Sequence, residues 1–170
     1  MTSSTGLSSS YLRGLCRKLL PTFSDVVSCD NMNIAFPDFR ITRSAIVNAA
    51  QQSVSHGHWL AIQYNSKLKK FIFWDPLGFD VSMYPIIANF LLKTKKQIEN
   101  WQLKIQHSLS THCGFHCLAF LLHLDFGIDT KSFFDLFDRR DLLFNDDVTT
   151  HFIIDCIKTI RLSHSRDVNE

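Results

Sequence analysis

The 170-residue sequence has no apolar run long enough to cross a bilayer, which takes roughly 20 residues. Its longest candidate, residues 118–124, is broken by His123 and followed by Asp125. Strong charge of either sign is also missing. A net charge of +2 at pH 7 permits nucleic-acid contact without arguing for it. Nor is there a disulfide framework: the five cysteines (16, 29, 113, 117 and 156) are odd in number and irregularly spaced, and no leader-like segment opens the chain. These absences predict a soluble intracellular protein in a reducing compartment, with free thiols and no membrane association. No internal repeat or interior linker interrupts the sequence. The expectation is a flexible arm over residues 1–10, small and polar, followed by one domain over residues 11–170.

What is present fits a globular protein: 45% hydrophobic and 20% charged residues, with fifteen phenylalanines to fill a core with large rings. Ser10 is placed to cap a helix over Tyr11–Leu20 that Pro21 stops, and residues 21–40 read as irregular connection. Ala45–Ala50 fits strand or helix. Trp59–Tyr64 and Lys70–Trp74 read as an antiparallel hairpin, Tyr84–Trp101 as an amphipathic helix and Gln102–Gln106 as a short strand. Cys113–Leu124 is apolar almost throughout, predicting a buried helix. Helices over Lys131–Phe137 and Asp146–Ile160 follow, the last capped by Asn145 or Asp146. Strand pairs among helices without regular alternation indicate an α+β fold, a mixed sheet flanked by helices.

Chemistry concentrates in Gln106-His-Ser-Leu-Ser-Thr-His112-Cys113-Gly114-Phe-His116-Cys117. A helix's first turn carries unpaired N–H groups and partial positive charge, both of which favour thiolate over thiol, and Gly114 keeps the surroundings of Cys113 open. His58 precedes one hairpin strand and Asp75 follows the other, so the turn between them brings both to the same end. A carboxylate there can hold the imidazole in one tautomer. His56 competes for the role of base but lacks that registration. Gln106, seven residues before Cys113, supplies an amide able to stabilise an oxyanion beside the Cys113 N–H.

The arrangement His58-Trp59, Asp75-Pro76-Leu77-Gly78, Gln106 and Cys113-Gly114 resembles the adenovirus protease (adenain) family of cysteine proteases, related in fold to the SUMO-deconjugating proteases. The order His, acid, Gln, Cys is the family's. So are the seventeen residues from histidine to acid and the seven from glutamine to cysteine. Phe36-Pro37-Asp38-Phe39 and Ala45–Ala49 are also similar to the family's segment upstream of the histidine, and the likeness implies a strand for Ala45–Ala49. It extends over about residues 10–125. It implies Cys113 as nucleophile, His58 as general base and then acid, Asp75 as its orienter and Gln106 in the oxyanion hole. Trp59 and Gly114 would line the substrate passage. The implied function is a viral maturation endopeptidase that cuts capsid or core precursors at Gly-containing sites, a monomer working in the host nucleus and the virion. No cofactor is implied for the chemistry. In adenain, DNA and a disulfide-linked peptide act as activators. Lys95 stands where adenain has the linking cysteine, which argues against a tethered peptide, whereas Arg17, Lys18, Lys93, Lys95 and Lys96 leave a DNA contact open. Adenain has glutamate at the Asp75 position and the SUMO proteases aspartate; residues 126–170 have no clear counterpart in adenain.

Three rival readings differ in class or substrate, one of them a non-catalytic binding module that keeps the fold, against which all four catalytic residue types are present. His112, Cys113, His116 and Cys117 have metal-binding side chains, but zinc sites usually draw pairs from two separated segments, so no metal is expected. A protease that removes a SUMO- or ubiquitin-like modifier would use the same catalytic groups.

Overall fold

The computed structural model describes residues 8–54 and 57–167, with side chains described to residue 160. Elements run α1 (Ser9–Leu19), β1 (Phe23–Ser28), α2 (Met32–Ala35), β2 (Arg43–Asn48), β3 (Trp59–Asn65), β4 (Lys70–Trp74), α3 (Pro85–Lys93), β5 (Gln97–Trp101), α4 (Cys113–Asp125), α5 (Thr130–Phe134) and α6 (Phe144–Asp167). The sheet keeps chain order, β1-β2-β3-β4-β5. An antiparallel centre, β2-β3-β4, carries a parallel strand on each side. The fold is α+β with a mixed sheet between helices, as the sequence suggested.

Both sheet faces are covered, and strand side chains alternate between them. Ala61, Ile72 and Trp74 join a core with α1, α4, α5 and α6, where Trp74 stacks on Phe120 at 4.8 Å between centroids. Leu60, Ile62, Phe71 and Phe73 face a second core under α2 and α3. The phenylalanines do supply large buried rings to both cores. Gln63 is the polar exception on β3; its amide donates to Ser44 and to Asp125 at the end of α4.

Several predicted boundaries shift. Residues 1–7 of the expected arm lie outside the described residues, and Ser9 and Ser10 belong to α1, whose N-cap is Ser8 rather than Ser10: Ser8 Oγ accepts from Tyr11 N–H. The stretch read as irregular contains β1 and α2. Its polar strand residues concealed it, because Ser24 donates to Ala35 O and Asp25 pairs with Arg13 at 2.6 Å. Ala45–Ala49 falls largely in β2, as the resemblance implied. The helix predicted over residues 84–101 stops at Lys93, and Lys95 takes a left-handed conformation (φ 56°). Ile98 follows Leu91 at helical spacing, yet it lies in β5, with Ile98 and Trp101 in opposite cores, so neither periodicity shows. No strand forms over Gln102–Gln106: its Ile105 and Gln106 N–H groups both donate to Pro76 O at 3.0 Å. The helix expected over Lys131–Phe137 ends at Phe134, and the last one is longer than expected, Phe144–Asp167.

Candidate active site

The hairpin does bring its two ends together. His58 Nε2 lies 2.5 Å from Asp75 Oδ1. Asp75 is fully buried and accepts three further hydrogen bonds: Leu77 N–H at 2.8 Å, Phe79 N–H at 3.3 Å and Tyr84 OH at 2.6 Å. A buried carboxylate is tolerated only when its lone pairs are filled in this way. The turn that shapes the site needs a glycine. Gly78 has φ +79°, its N–H donates to Asp75 O, and a β-carbon there would stand 2.8 Å from Lys104 N.

With Nε2 committed to Asp75, the other ring nitrogen is left for Cys113. Burial lowers the His58 pKa, but hydrogen bonding and charge from Asp75 and Cys113 outweigh it and raise the value to about 9. Cys113 opens α4, whose first turn has no side-chain cap and no acidic residue. Free N–H groups therefore stay available for an anion. Gln106, 3% exposed, donates from Nε2 to Ser110 O at 2.9 Å.

His58, Trp59, Gln106 and Cys113 line one cleft of about 890 Å³, walled further by Ser8 and Ser9 at the start of α1 and by Asn48. Of the expected substrate-lining pair, Trp59 is on this wall. Gly114, buried in the first turn of α4, is not among the residues that line it. His56 lies outside the described residues. A half-buried thiol, a paired imidazole and unpaired helix N–H groups form an arrangement able to attack an acyl carbon and hold the resulting oxyanion.

The model of the adenovirus endoprotease family matches residues 29–136, which include His58, Asp75, Gln106 and Cys113. The chain belongs to the adenovirus endoprotease family. It is a cysteine peptidase. Among solved structures it is similar to the SUMO protease Ulp1 (TM-score 0.50, 13% identity, covering 91% of this chain and 80% of that one). It is also similar to ChlaDub1 from Chlamydia trachomatis (TM-score 0.50, 14% identity, 71% and 60%). The ASFV pS273R protease matches over 64% of this chain and 43% of its own, at 14% identity and TM-score 0.40. At these identities Ulp1 and ChlaDub1 share the fold with this chain. Cysteine peptidases of this family need no cofactor for their chemistry.

Three of the four residues of the rival zinc motif have partners elsewhere in the protein. His112 and His116 turn to Asp146, at 3.3 and 3.0 Å, and Cys117 donates to Trp59 O. Among the described residues, no group of three or more His, Cys, Asp and Glu is arranged to hold a metal ion. Sequence reasoning missed Tyr84, Ser110 and the contacts of Asp146. Only Asp146 carried a signal, as a possible helix cap, because these partners meet through tertiary packing.

The cysteines differ enough for a direct test. Burial pushes the Cys16 thiol up to about 12 and the Cys156 thiol up to about 11, and raises Cys29 and Cys117 as well. Cys113 is the cysteine at the cleft. Iodoacetamide followed by peptide mapping should modify Cys113 at least about tenfold faster than the other four. Comparable labelling of all five would rule out an activated thiol there.

Proposed function

We propose that this cysteine peptidase is a viral maturation endopeptidase that cleaves structural precursor proteins at Gly-containing sites, with Cys113 as nucleophile and His58 as base and then acid. Asp75 orients His58, and Gln106 stabilises the oxyanion. The observation that carries the reading is the match to the adenovirus endoprotease model across all four residues, together with the cleft that three of them line above buried Asp75. Trp59, only 7% exposed, stands beside His58 on that wall. A rigid indole next to the scissile bond favours glycine, which passes without a side-chain clash. By family resemblance the enzyme acts as a monomer in the host nucleus and the assembling virion.

The basic residues considered for DNA contact divide between two sides. Arg17 and Lys18 end α1, which packs on the α4 face of the sheet, whereas Lys93, Lys95 and Lys96 lie at the end of α3 on the opposite face. A DNA activator would have to reach both sides or use one cluster alone.

A peptide-library digest compared with SUMO and ubiquitin C-terminal reporters, with and without DNA, tests the substrate assignment. Gly-containing peptides should be cut at least about tenfold more efficiently than either reporter, a modest difference in transition-state binding. Preference for a reporter would replace maturation with removal of a ubiquitin-like modifier.

A further inference from the structure

The first turn of α6 reaches back to the loop joining Gln106 to Cys113. Asn145, fully buried, donates from Nδ2 to Ile105 O and to Asp138 O, both at 2.8 Å. Asp146 receives Ser110 Oγ–H across its two oxygens at 3.0 and 2.9 Å, and also faces the rings of His112 and His116. Behind His116, Thr149 Oγ1 stands 2.7 Å from Nδ1 and fixes the ring. The loop between Ile105 and His112 is thus gripped at both ends by consecutive residues of one helix turn. Neither residue falls in the segment matched by the family model, which ends at residue 136.

Ser110 passes that grip to the site. Its hydroxyl oxygen accepts the His112 N–H at 3.1 Å, immediately before the nucleophile, and its carbonyl takes the Gln106 amide. Gln106 Oε1 is buried and finds no partner among the described residues. The carboxamide is therefore oriented from its nitrogen end, by Ser110. One N–H of that amide is used by Ser110 O and the second is left for a developing oxyanion.

We propose that Asp146 is a positioning residue of this peptidase: through Ser110 it aims the Gln106 amide and the entry of α4, so that the oxyanion donors are in place before substrate arrives. The proposal rests on the roles given above to Gln106 and Cys113. Misplacing such donors by about 1 Å costs on the order of a hundredfold in rate.

The test compares two reactions of one thiol. Peptide hydrolysis forms an oxyanion, whereas alkylation by iodoacetamide displaces iodide at carbon and forms none. In Asp146→Ala, kcat for a peptide substrate should fall about a hundredfold with KM within about threefold, while alkylation of Cys113 stays within about threefold. Ser110→Ala, which removes only the hydroxyl link, should reproduce the kcat loss, and Asp146→Asn, which keeps one acceptor, should recover at least about tenfold of it. In a Gln106→Ala background, Asp146→Ala should add less than about threefold, because both act through one amide. An unchanged kcat, alkylation falling in step with hydrolysis, or multiplying losses in the double variant would each overturn the proposal. Wild-type kcat in Gln106→Ala would instead refute the oxyanion role itself, independently of Asp146.

Discussion

His58→Ala should lower kcat/KM for peptide hydrolysis by about 10⁴-fold or more. In the proposed mechanism the imidazole has two tasks: it draws the proton from Cys113 and returns one to the leaving amine. Its Nε2 is fixed by Asp75 at 2.5 Å, and its placement at the entry to β3 is set by the ladder that starts at Trp59. His112 and His116, which stand beside Cys113 in sequence, are held by Asp146. Alkylation should slow as well, because the thiolate loses its cationic partner. Hydrolysis within tenfold of wild type, normalised to titrated active sites, would remove His58 from the mechanism.

Asp75→Asn should lower kcat/KM at pH 8 by about 10³-fold and displace the alkaline limb of its pH profile. In the wild type, hydrogen bonding and charge from Asp75 and Cys113 hold the His58 pKa near 9 against burial, so the imidazolium persists to about that pH. Without the carboxylate, burial dominates and the limb should move down by at least one unit, nearer the ordinary value of about 6.5. The sign for stability follows from the same shift. A folded-state pKa above the unfolded one stabilises the protein fully below about pH 6.5, and the contribution disappears as pH rises through about 9. The stability gap between wild type and variant should therefore be greatest near pH 6 and narrow by about 3 kcal/mol toward pH 10. Urea titrations at the two pH values measure it. A pH-independent gap would mean that Asp75 matters through its bonds to Tyr84, Leu77 and Phe79 and not through His58.

The groups assembled at the candidate site were readable because each is tied to a local pattern. The hairpin encodes the meeting of His58 with Asp75, and the apolar run after Cys113 encodes the helix start. β1 and β5 were obscured for a common reason: both are edge strands whose polar residues, Ser24 and Asp25 in one and Glu99 and Asn100 in the other, find partners only in the folded protein and break up the apolar pattern. Gly114 is buried in the first turn of α4, whereas its type suggested an open position beside Cys113. Tyr84 and Ser110 left no trace in spacing. Their contacts exist only after α3 and α6 have packed on opposite sides of the sheet.

That topology also orders events in time. The β3–β4 hairpin, closed by a short turn, carries His58 and Asp75 at its open end and can form from local contacts. Cys113, Ser110 and Asp146 are brought in by longer loop closures, with α6 last in the chain. Recovery of activity during refolding should consequently lag behind the fluorescence change that accompanies docking of α4, when Trp74 stacks on Phe120, because α6 has still to reach Ser110. A newly made chain would then complete its sheet before it can cut anything, itself included.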